Sequence, residues 1–131
     1  MDQPKHDYLV ISRGQWDEHA SHEDVQRAID QFYVWYESHL ASGRMKPGSR
    51  LASAGKVITH QLITDGPFAE TKEIVGGYWF IVAASLDEAA ALAAQNPCLA
   101  VGLTLELRPL DAERPRSTDI TNETPLQWRQ G

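Results

Sequence analysis

Between Asp65 and Glu73 the chain reads Asp65-Gly66-Pro67-Phe68-Ala69-Glu70-Thr71-Lys72-Glu73, which puts three carboxylates and one ammonium into nine residues. Clustered carboxylates shift one another's pKa toward neutrality, and a neighbouring Lys can hold a substrate anion. Asp65 is therefore a candidate acid/base group, and Glu70 and Lys72 are candidate ligand contacts. The same segment also reads as a structural loop. Asp65 then caps a turn, Gly66 supplies an unusual dihedral, Pro67 stiffens the chain and Phe68 plugs the core. Exposed Glu70, Lys72 and Glu73 would then form a salt-bridge set of little energetic weight.

His60 alternates with Ile58 and Leu62 and is expected on their face. A neutral imidazole near Asp65 would act as a base or ligand contact; the plain alternative is a core histidine satisfied by one hydrogen bond. Tyr78 and Trp79, with Tyr33, Trp35 and Tyr36, have the bulk to wall a pocket, though such residues also serve as plain core or interface. His19 and His22 stand three apart at a helix start. Two neutral ligands without a third are a weak metal site, so no metal is expected. Cys98 follows Asn96-Pro97 with no base at fixed spacing, and reads as a buried small hydrophobe rather than a nucleophile. No phosphate loop, nucleotide fingerprint or Ser–His–Asp order occurs, so no cofactor is expected.

Elements must position these groups, and the bulk properties bound what kind. A chain of 131 residues suits one domain with a modest core. The net charge is −6 and the twelve Lys and Arg are scattered, so the positive stripe that phosphate binding needs is missing and nucleic acid is excluded as a partner. No apolar run approaches the about 20 residues of a membrane-spanning helix. The N-terminus lacks the order of a secretory signal, and a cytoplasmic protein is expected. One cysteine excludes an internal disulfide framework.

Residues 7–13 read as a first strand with apolar groups on both faces. Ser21 caps a helix expected to run to about residue 41, with Val25, Ile29, Phe32, Tyr36 and Leu40 as its buried stripe and Gly43 as its left-handed cap. Lys46-Pro47-Gly48-Ser49 reads as a turn, followed by a short strand over 49–53. Residues 57–64, rich in β-branched types, read as one strand, and 76–84 as the strongest strand. Ser85 caps a second helix with Leu86, Ala89, Ala90 and Ala93 on its buried side, stopped at Asn96-Pro97. Residues 103–110 form the last strand, with Leu103, Leu105 and Leu107 inward. Residues 1–110 make the domain, and 111–131 read as an extension or arm.

The order β-α-β-β-α-β is the ferredoxin-like α+β pattern, with two helices on one face of an antiparallel sheet. Yet strands 8–13 and 78–83 are apolar on both faces. The economical cover for the second face is the same face of another copy, giving a two-fold homodimer with a sheet-on-sheet core.

The nine residues 65–73, the glycine pair of Gly76-Gly77-Tyr78, the helix start Ser85-Leu86-Asp87-Glu88-Ala89 and the closing Glu106-Leu107-Arg108-Pro109 resemble the DGPF-motif proteins of the YCII-related group. The resemblance covers roughly residues 7–110. It implies a dimeric α/β barrel built on a ferredoxin-like protomer, and no settled activity. Some proteins of the group are encoded beside, or fused to, extracytoplasmic-function sigma factors, which makes such a factor an implied partner. Related proteins carry a His–Asp pair of acid/base character. The aligned positions here are Phe32 and Asn96, neither of which ionises near neutral pH, so that dyad is absent.

Two functional expectations result. One is a small-molecule binding protein, or a cofactor-independent enzyme acting on a small organic acid or ring compound. Its cleft lies near the DGPF loop, with Asp65 and His60 as catalytic groups and Glu70, Lys72 and Tyr78 as ligand contacts. The other is a regulatory or protein-interaction module, with an extracytoplasmic-function sigma factor as the partner the resemblance implies.

Overall fold

The computed structural model describes residues 3–66 and 75–130. Strand β1 (His6–Arg13) buries Tyr8, Val10 and Ser12 on one face and turns Leu9 and Ile11 to the other. Helix α1 (His22–Ser42) starts where the Ser21 hydroxyl accepts the Asp24 N–H at 3.0 Å. It ends at Gly43, whose φ of 79° is a conformation open to glycine at little cost. The chain returns through β2 (Met45–Arg50), a hairpin of β3 (Gly55–Ile58) and β4 (Ile63–Gly66), and the long strand β5 (Val75–Ala83). Helix α2 (Leu86–Ala93) follows, then a 3-10 turn over Pro97–Val101 and strand β6 (Thr104–Pro109).

The main sheet has the antiparallel order β2-β5-β1-β6, and β3 with β4 forms a separate pair. With that pair set aside, the path is β-α-β-β-α-β with the first and third core strands adjacent at the centre. This is the ferredoxin-like arrangement expected from the sequence. Both helices pack on one face, around Tyr8, Val10, Trp79 and Ile81. Val10 and Ile81 are wholly buried, each stabilising the fold by about 1.5–3 kcal/mol. Phe32, Trp35, Tyr36 and Leu40 of α1 and Ala89 and Ala93 of α2 close over them.

Three local expectations are corrected. Pro47-Gly48 lies inside β2 rather than in a turn, because β2 is an edge strand and its register slips between Lys46 and Ser49. An edge and a bulge are where a strand tolerates proline. Residues 57–64 do not form one strand. The Thr59 N–H donates to the Leu62 carbonyl at 2.7 Å and closes a tight turn between β3 and β4. The β-branched composition is the same for one strand or two, so it did not reveal the reversal. On α2 only Ala89 and Ala93 are buried, and Leu86 is exposed, since eight residues give a stripe just one turn wide.

Past β6 the chain folds locally on itself. The Arg129 guanidinium donates to the carbonyls of Thr121, Asn122 and Thr124 at 2.7–3.2 Å, and a 3-10 turn covers Leu126–Arg129. Ile120, Leu126 and Trp128 stay exposed.

Candidate functional site

A cavity of about 400 Å³ opens between α1, the β2 end of the sheet and the 3-10 turn after α2. Its walls are aromatic. Phe32 stacks on Tyr36 with ring centres 5.3 Å apart and planes 12° apart, and meets Trp79 edge-on, also at 5.3 Å. These rings converge because Phe32 and Tyr36 are one helical turn apart on the inner side of α1, while Trp79 rises from β5 toward the helix.

Polar groups come from β1, β2, α1 and the 3-10 turn, and a buried indole N–H from β5. Ser12 of β1 and Arg50 of β2 both pair with Gly77 of β5, so they share one row across the sheet with a bare residue between them. A Cβ placed on Gly76 would lie 3.9 Å from both terminal nitrogens of Arg50 and 3.9 Å from the Ser12 hydroxyl. Gly76 thus leaves a methyl-sized hollow onto which the guanidinium and hydroxyl converge. Asn96, only 5% exposed, caps the 3-10 turn with its side-chain oxygen, which accepts the Cys98 N–H at 2.8 Å. Its NH₂ end makes no hydrogen bond among the described residues. The Tyr36 hydroxyl accepts the Gly48 N–H at 3.3 Å. The indole N–H of Trp79, a residue 6% exposed, is buried and has no acceptor among the described residues.

Arg50 is the one charged group among the described lining residues. No described residue forms an ion pair with it. Burial pushes the Cys98 thiol up, against a smaller downward pull from Arg50, and its sulfur sits 3.7 Å from the Ala28 carbonyl. A thiol held protonated is a poor nucleophile. The described lining has no carboxylate or imidazole. It can hold and orient a small molecule, and none of its described residues is a base near neutral pH.

The residues singled out from sequence fall in different places. Tyr78 lines this cavity, and its ring also lies 6.1 Å from that of Phe80. Asp65 is on β4, with its side chain 88% exposed and paired with Lys56. His60 sits exposed in the turn between β3 and β4, not on a strand face with Ile58 and Leu62. Neither lines the cavity. Glu70 and Lys72, with Phe68 and Glu73, lie outside the described residues. Phe32 and Asn96, to which the resemblance assigned the places of an acid/base pair, both line the cavity.

Arg50 and Ser12 were not singled out from sequence. Their shared partner Gly77 carried the signal, but the strand pairing that makes it one is a long-range feature. His19 and His22 are exposed, and among the described residues no three His, Cys, Asp or Glu side chains gather to hold a metal. No helix of the described residues is long and apolar enough to cross a membrane.

A family model for the YCII-related domain matches residues 8–110. The chain is also similar to an uncharacterized protein of Rhizobium meliloti (strain 1021), 32% identical over 105 residues, covering 72% of this chain and 82% of that protein. The match spans both helices and all four strands of the main sheet, together with every polar group of the cavity; on that ground the chain belongs to the YCII-related family.

Proposed function

We propose that the protein binds a small molecule in the cavity between α1 and the sheet. The observation that carries this reading is the described lining itself: aromatic walls, one cation and several hydrogen-bond donors, with no base among them. Its volume lies in the range of ligand sites, about 300–1,000 Å³. An acid/base role for Asp65 and His60 has less support, because both are exposed on the β3–β4 hairpin.

The test is a thermal-shift screen of small metabolites against the full chain and an Ile29→Trp variant. Ile29 lines the cavity from α1, and a larger ring there narrows it. Compounds that raise the wild-type melting temperature by several degrees are expected to lose that effect in the variant. A wild-type protein stabilised by no compound, or a variant stabilised equally, removes the reading.

A second reading, an interaction module, is favoured by the arm. Ile120, Leu126 and Trp128 are each at least two-thirds exposed on a segment tied together by Arg129. An extracytoplasmic-function sigma factor is the partner implied by the resemblance. Binding of such a factor, purified and titrated by calorimetry, is expected to fall at least about tenfold in Trp128→Ser, the loss typical of a buried aromatic anchor. Equal affinity, or none in the wild type, counts against it.

A further inference from the structure

We infer that the ligand of this cavity is a flat monoanion, an aryl or heteroaryl carboxylate, anchored by Arg50. The inference rests on the binding reading above and names the chemical class.

Three observations converge. The single charge of the described lining is a guanidinium with no ion-pair partner among the described residues. A guanidinium presents a planar fork that matches a carboxylate with two parallel hydrogen bonds. The second observation is the polarity of the neighbouring groups. Asn96 has spent its oxygen on the Cys98 N–H, which leaves its NH₂ as the end still to be paired. Ser12 adds a hydroxyl on the guanidinium's side of the Gly76 hollow. A site of unpaired donors calls for a ligand rich in acceptors, because a buried donor left unmatched is costly.

The third observation is shape. Phe32 and Tyr36 are nearly parallel, with Trp79 across them. A flat ring extends such a cluster by offset or edge contact. One guanidinium balances one negative charge, which favours a carboxylate over a phosphate dianion.

Calorimetry on the full chain tests this with benzoate, its neutral isostere benzamide, and phenyl phosphate. Benzoate is expected to bind, with benzamide and phenyl phosphate at least about tenfold weaker, as one charge-assisted contact is worth. Arg50→Gln should bring benzoate down to the level of benzamide and leave benzamide unchanged. Arg50→Lys should recover part of the difference. Arg50 is exposed on an edge strand and pairs with no described side chain, so these variants should keep the wild-type circular dichroism. Equal binding of benzoate and benzamide overturns the inference, as does tighter binding of phenyl phosphate, no binding of benzoate, or an Arg50→Gln variant with unchanged benzoate affinity. If benzoate fails while another compound stabilises the wild type but not Ile29→Trp, the class is wrong and binding stands. If no compound does so, binding falls as well.

Discussion

Glu106 accepts hydrogen bonds from Arg13 and Arg108 on the sheet face away from the helices. The Arg13 bond first, then that of Arg108, hold its carboxyl below the usual carboxylate range. A carboxylate with a lowered folded pKa contributes stability above its unfolded pKa and loses it as pH falls through the folded value. Glu106→Gln is therefore expected to lose less stability than wild type between neutral pH and about pH 3, measured by urea unfolding across that range. An identical pH dependence would remove the triad's role. Residue types in the sequence were legible as chemistry, but not as neighbours. Asp65 and His60 stand near each other in the chain and apart from the cavity. Ser12, Arg50 and Asn96 are far apart in the chain and line it together.

At the scale of elements, caps and stripes were readable because they depend on a few adjacent residues. Ser21 and Gly43 bound α1 as their chemistry requires. Strand β2 was not readable, since Pro47-Gly48 is a turn signal unless the strand lies at an edge. Gly48 also reports the close approach of β5: a Cβ there would fall 1.9 Å from the Tyr78 carbonyl oxygen. The obstacle is backbone, which cannot swing aside as a side chain does. Gly48→Ala is expected to destabilise the protein by about 1–3 kcal/mol, the cost of overpacking, as a lower denaturant midpoint. A midpoint unchanged from wild type would show that β2 lifts away freely.

Across the whole molecule, the sheet face opposite the helices carries Leu9, Ile11, Phe80 and Val82. All four are half-buried. We propose that a second copy covers this face, as the apolar patterning of both strands leads one to expect. Sedimentation of the wild type is then expected to report two chains, and Phe80→Glu one chain with unaltered helix content. A wild type that sediments as one chain refutes the pairing.

Local order and pattern determined the ferredoxin-like class, the helix limits and the presence of β5, because capping, periodicity and alternation act between residues close in the chain. The tertiary structure decided which of the possible second strands joins the sheet, and that 57–64 turns back on itself. It also decided that Gly76 would leave room between the side chains of Arg50 and Ser12. Each of these depends on cross-strand pairing and edge position, and a linear chain carries no mark of its neighbours across a sheet.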